Sequence, residues 1–274
     1  MKTFIITMLA ALGLTACTTQ KKEEAPEKKV LVVYYSQTGA TEKVAKEIQQ
    51  QLNADIEAIE VENPYDGDFN ATIARCQKEM ESGEMPTVKP LKANIDDYDI
   101  IMIGYPVWFG TYARPIASLI ESQKFEGKKV VTFCTFGSGG LQSSTSDLKA
   151  ALPNAEVIEG YGVRNARINS IKEELNRFLI EGGYKEGDIE ALPGFMEHKP
   201  VTAEDTEIFN QACGDYQFPL GTPVDVAIRE TATSTDYEFS AKSQDKDGKE
   251  TTATIYVTVG KEANAKPEFT QVVR

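Results

Sequence analysis

Ser36, Thr38 and Thr41 place three hydroxyl groups in the short run Ser36-Gln37-Thr38-Gly39-Ala40-Thr41. Hydroxyls donate hydrogen bonds without carrying charge, and Gly39 permits a tight turn and close approach of a ligand. A helix starting here would add free backbone N–H groups and the positive end of its dipole, which together suit an anion such as a phosphate. The loop lacks the Gly-Lys-Ser/Thr ending of a Walker loop, and its glycine spacing is not that of a dinucleotide fingerprint. Read alone, the run also fits a plain turn with Thr41 as a helix cap.

Two further segments carry chemistry. Tyr105-Pro106-Val107-Trp108-Phe109-Gly110-Thr111 concentrates aromatic residues where a loop is expected, and aromatics there can wall a planar ligand by stacking. Trp108, the only tryptophan, favours a ligand role, whereas Phe109 also fits a cap on the core. Thr135-Phe136-Gly137-Ser138-Gly139-Gly140 has three glycines in four positions, so its N–H and C=O groups can approach a flat polar edge closely.

The elements that must position these segments are legible as alternating periods. Val30 to Tyr35, Ile100 to Gly104 and Val130 to Thr135 are continuous apolar runs, as expected of strands buried on both faces. Ile56 to Val61 and Glu156 to Glu159 read as further strands. Helical stripes cover 41–52, 69–81, 113–122 and 168–180, and another helix ends over 147–152. Five strand–helix alternations predict an α/β fold, a doubly wound five-stranded parallel sheet with helices on both faces. In such a sheet, ligands bind beyond the carboxyl ends of the strands, where the three segments fall.

The segments YYSQTGAT at 34–41, GYPVWFGTYARPI at 104–116 and FCTFGSGG at 133–140 resemble the flavodoxin family over about 28–183, and look most like the flavodoxin-like branch of bacterial quinone reductases and small flavoproteins. The resemblance implies FMN as cofactor, its phosphate on Ser36, Gln37, Thr38, Gly39, Ala40 and Thr41. Pro106, Val107, Trp108, Phe109 and Gly110 would lie beside the isoalloxazine ring, and Thr135, Phe136, Gly137, Gly139 and Gly140 along its pyrimidine edge. Long-chain relatives stack a tyrosine of that third loop on the flavin; Phe136 is the nearest aromatic here. The expected function is FMN-dependent redox chemistry, either electron transfer or a small quinone-type reductase, with a redox protein or quinone-like acceptor as partner. The alternative is a non-catalytic, partner-binding protein on a degenerate flavodoxin fold. No motif assigns a catalytic side chain or a metal, and the single histidine, His198, falls outside this region.

The ends of the chain add a second layer. Lys2, the apolar run from Phe4 to Leu14 and the sequence Leu14-Thr15-Ala16-Cys17 read as a lipoprotein signal peptide over 1–16 with lipid on Cys17. Residues 17–28 then form a polar tether, anchoring the protein in the cell envelope on a periplasmic or surface face. The flavodoxin-like domain is expected over 29–183 and a Gly/Pro-broken linker over 184–200. A smaller α+β domain follows over 201–274: a helix from Ala203 to Cys213, then strands over 224–230, 235–242, 251–259 and 269–273. Asp245-Lys246-Asp247-Gly248 reads as a hairpin turn. The order, with Gly214-Asp215-Tyr216-Gln217-Phe218-Pro219-Leu220 and Thr235-Asp236-Tyr237-Glu238-Phe239, resembles a cystatin-like domain, but the inhibitory Gln-x-Val-x-Gly pattern is missing at 230–234. That points to a packing or partner-binding module.

A formal net charge of −13 argues against nucleic-acid binding, because phosphate backbones would be repelled. Four cysteines are too few for a disulfide scaffold, and their spacing fits no zinc site. Cys134 reads as core, and Cys76 with Cys213 could pair only at a distance that sequence does not fix.

Overall fold

The computed structural model describes residues 28–65, 68–214, 216, 218–244 and 248–274. The leader over 1–16, Cys17, nearly all of the tether, and Asp245 to Asp247 of the expected turn lie outside the described residues.

In chain order the first unit contains β1 (Val30–Tyr34), α1 (Ala40–Leu52), β2 (Asp55–Ala58), α2 (Phe69–Ser82), β3 (Ile100–Trp108), β4 (Thr111–Tyr112), α3 (Arg114–Ser122), β5 (Lys129–Phe136), α4 (Leu141–Ala151), β6 (Glu156–Arg164) and α5 (Ile171–Glu181). Five strands run parallel in the order β2-β1-β3-β5-β6, and β4 is an antiparallel appendage of β3. The chain steps outward from β1 in both directions, so the switch point lies between the carboxyl ends of β1 and β3.

Side-chain alternation along β1 explains why the strand is apolar throughout. Leu31 and Val33 enter one core with Ile116 and Leu119 of α3 and Leu148 of α4. Val32 and Tyr34 enter the other with Val44 and Ile48 of α1 and Leu175 and Leu179 of α5. Each fully buried aliphatic side chain contributes about 1.5–3 kcal/mol relative to exposure. Gly104 makes room for the Phe133 ring of the neighbouring strand, since a Cβ there would stand 2.1 Å from it.

Several boundaries differ from the sequence reading, for physical reasons. β6 continues to Arg164 instead of stopping near Glu159. Gly160 and Gly162 break the apolar pattern, yet packing demands them: a Cβ at Gly160 would lie 1.8 Å from Thr132 O, and one at Gly162 would lie 2.8 Å from the Phe136 ring. β3 runs past Gly104 to Trp108 because Phe109 and Gly110 turn the chain back into β4. α4 begins at Leu141, within a serine- and threonine-rich stretch that shows little hydrophobic stripe.

The second unit is a separate antiparallel sheet with one helix. It comprises β7 (Lys199–Pro200), α6 (Ala203–Cys213), β8 (Thr222–Glu230), β9 (Ser234–Gln244), β10 (Glu250–Gly260) and β11 (Glu268–Val273), in the order β11-β10-β9-β8-β7. Thr202 and Asp205 close a reciprocal capping box at the start of α6. Phe209 and Cys213 of α6 pack on Val226, Phe239, Ile255 and Phe269 of the sheet.

Cys76 and Cys213 occupy different cores and are free thiols, so they do not pair. Burial pushes their thiols up, to about 11 for Cys76 and about 12 for Cys213, and both stay protonated and unreactive at neutral pH.

Candidate functional site

The first segment turns from β1 into α1. Gly39 is the N-cap of α1 in the left-handed conformation, with φ 86°, and no side chain caps the helix start. The expected alternative of Thr41 as cap is not what forms. Thr41 is buried one position inside the helix, its hydroxyl 2.9 Å from that of Thr135, which ties the first segment to the third. The Gln37 amide is committed elsewhere, donating to Tyr65 O at 3.0 Å and to Thr72 Oγ1 at 2.6 Å, which leaves only its backbone for a ligand at this turn. Thr38 is exposed, Gly39 and Ala40 are half-buried, and a Cβ at Gly39 would meet open space.

Ser36 Oγ is buried and has no hydrogen-bond partner. A buried hydroxyl left unpaired costs about 1–3 kcal/mol. Here it lies beside a helix start whose first N–H groups also lack a side-chain acceptor. An oxyanion bound at this turn would satisfy both, so the residues present fit a phosphate. Beside them, Tyr35, Ser36, Gln37, Glu60, Tyr65 and Lys89 border a cavity of about 410 Å³.

The second segment is a hairpin. Phe109 (φ 53°) and Gly110 (φ 80°) both have positive φ, the signature of a two-residue type I′ turn. Ser143 at the start of α4 secures it by donating to Gly110 O at 2.6 Å. Phe109 projects at the tip, 51% exposed, instead of capping the core. Trp108 is half-buried and meets Tyr35 and Tyr65 edge-on, with centroids 5.7 Å and 5.0 Å away. Pro106 and Val107 are half-buried on the same strand end.

The third segment corrects one expectation. Phe136 is 2% exposed and packs in the core beside Gly162, so its ring is unavailable for stacking on a ligand. It ends β5, a strand buried on both faces, where alternation sends Phe136 with Cys134 into the core beneath α3 and α4. Thr135 is also buried, behind Thr41. Gly137, Gly139 and Gly140 stand at the surface end, and Gly140 adopts φ 118° against Val107, where a Cβ would lie 2.7 Å from Cγ1. The structure therefore brings all three segments together at the carboxyl ends of β1, β3 and β5.

Sequence reading missed two participants. Arg164 Nε donates to Gly137 O at 2.8 Å, and the Val272 N–H donates to Ser138 O at 3.0 Å. Arg164 is the last residue of a strand whose length the glycines concealed, and nothing local to Val272 reveals where β11 lands.

Fold and site together define an α/β protein with a phosphate-ready helix start at its sheet's switch point. The chain belongs to the flavodoxin family, whose family model, described as flavodoxin, matches residues 29–179. Among solved structures, a Bacteroides eggerthii protein described as a flavoprotein is 31% identical over 55% of this chain and 98% of its own, with a TM-score of 0.48. One from Bacteroides uniformis, described likewise, is 28% identical over 54% and 98%, with a TM-score of 0.49. A flavoprotein in complex with FMN from Lactobacillus acidophilus NCFM is 26% identical over 55% and 98%, with a TM-score of 0.47. No curated protein matches the chain.

Proposed function

We propose that this protein binds FMN at the convergence of the three segments and moves electrons through it, held at the cell envelope by lipid on Cys17. The observation that carries the reading is the unpartnered Ser36 hydroxyl beside the uncapped start of α1, in a member of the flavodoxin family. Ser36, Thr38 and the N–H groups of Gly39, Ala40 and Thr41 would hold the phosphate. Pro106, Val107, Trp108, Phe109 and Gly110 would wall the ring, and the backbone of Gly137, Gly139 and Gly140 would read its polar edge. The bound flavin supplies the redox chemistry, and the protein sets its potential.

The surrounding charge indicates the direction of that tuning. The donors of the first segment are neutral, and the chain carries −13 overall. Adding negative charge beside a phosphate held this way is unfavourable, which lowers the reduction potential. The partner is a redox protein or a quinone-like acceptor. Steady turnover with NADH and a quinone would mark an enzyme, and reduction only by a protein donor would mark a carrier.

FMN titration tests the core of the proposal, with quenched flavin fluorescence and one FMN per chain expected. Thr38→Asp sets a carboxylate against the phosphate and should weaken binding by at least about tenfold. The fold should tolerate it, because an acid near a helix N-terminus is favourable. Undiminished affinity in that variant would remove the phosphate site. For the anchor, fatty-acid labelling of the wild-type chain in cells should be lost in Cys17→Ala.

A further inference from the structure

Two consecutive carbonyls of the glycine segment are held from outside it. Gly137 O accepts from Arg164 Nε at 2.8 Å, and Ser138 O accepts from the Val272 N–H at 3.0 Å. A Cβ at Gly139 would stand 2.6 Å from Val272 O, so only glycine lets β11 come this close. Arg164 also grips the C-terminal sheet. Its Nη1 donates to Phe269 O at 2.6 Å, and its guanidinium lies 4.1 Å from the Phe269 ring centroid. Tyr216, edge-on to Phe269, adds a second ring with its centroid 5.6 Å from the guanidinium. A guanidinium stays charged in a protein, and its planar fork has to keep such partners once water is partly excluded.

In a trans peptide the carbonyl and the next N–H point in opposite directions. With Gly137 O turned to Arg164 and Ser138 O turned to Val272, the N–H of Ser138 points away from Arg164 and the N–H of Gly139 points away from β11. Those amides are what the segment has to offer a flat polar edge. A loop already held in place loses less entropy when a ligand docks on it.

We propose that Arg164 is a positioning residue for the flavin site: with Val272 it fixes the glycine segment, so the C-terminal unit controls how tightly, and at what potential, FMN is held. This inference rests on the FMN reading above. It gives the appended sheet a task within the same chain, and it places the control at the ring's polar edge and not at the phosphate.

The test uses the full chain. It reads FMN affinity, the visible absorption band of the bound flavin and its midpoint potential. Arg164→Ala removes the bridge. Val272→Pro removes the N–H that faces out from β11, at a sheet edge where proline is tolerated, and also trims a side chain packed in the second unit's core, so its fold is checked by thermal melting before FMN is added. Each variant should weaken FMN by about tenfold and shift both the band and the potential. Arg164→Lys should not restore them, because an ammonium cannot present the fork. Arg167→Gln serves as the control. Arg167 bonds Glu174 and Glu268 without touching the glycine segment, so this variant should melt earlier while holding FMN within about twofold of wild type. Wild-type affinity, band and potential in both Arg164→Ala and Val272→Pro would overturn the proposal. If Arg164→Ala does not fold, Val272→Pro decides alone. A wild-type chain that binds no FMN would instead defeat the flavin reading, and this inference with it.

Discussion

Ser36 hides a hydroxyl that the protein itself leaves unsatisfied, and this makes it the most informative residue of the site. Two effects of opposite sign follow from it. Ser36→Ala should leave the FMN-free chain as stable as wild type, or stabilise it by up to about 1 kcal/mol, because an unpaired buried group is gone. The same change should weaken FMN by about fivefold to tenfold, because a donor to the phosphate is lost. Thermal melts without FMN and titrations with it separate the two, and clear destabilisation of the free chain would mean that the hydroxyl serves the fold. At this scale the sequence was informative about types and less so about directions. Thr41 and Thr135 were both expected at the site, but only the structure shows them bonded to each other behind it. Phe136 and Gln37 carry the right chemistry for a ligand, yet one ring is turned into the core and one amide is spent on Tyr65 and Thr72.

Strand–helix alternation, sheet class and the location of the segments at strand ends were all legible, because buried parallel strands write themselves as apolar runs. What could not be read were elements whose residues serve a neighbour's packing. Gly160 and Gly162 look like a break in a strand, but they let Thr132 and Phe136 fit. The β3–β4 hairpin was equally opaque, because Phe-Gly is not a strong type I′ turn signal. Phenylalanine disfavours the positive φ that Phe109 adopts, whereas Asn-Gly is the preferred pair. Phe109→Asn should therefore stabilise the FMN-free chain by about 0.5–1 kcal/mol in thermal or denaturant unfolding. If the exposed ring walls the flavin, the same variant should bind FMN more weakly, trading function for stability. A stabilised variant with undiminished affinity would take Phe109 out of the site.

The arrangement of the whole molecule was the least legible, because no local pattern reveals where one unit lands on the other. The two-unit plan was readable from the change in composition after about residue 182, but the docking of β11 on the glycine segment was not. His198 acquires a structural part at this scale. Its Nδ1 lies 2.5 Å from Asp225 and its Nε2 lies 3.0 Å from Glu238, joining the connecting segment to β8 and β9. Hydrogen bonds to those carboxylates raise the imidazole above its ordinary value. A raised value means that the pairing stabilises fully at acidic pH, below the unfolded value, and fades as pH rises through the folded one. Melts from about pH 5 to about pH 9 should show this decline in the wild type and lose it in His198→Gln, and identical profiles would mean that the pairs contribute nothing. The docked strand has one more consequence. β11 ends the antiparallel sheet, and sheet margins with free backbone groups invite pairing with other chains. Ser138 satisfies one of those groups, so the same carbonyl that is fixed by β11 also takes an open backbone donor of that margin out of reach of a second chain.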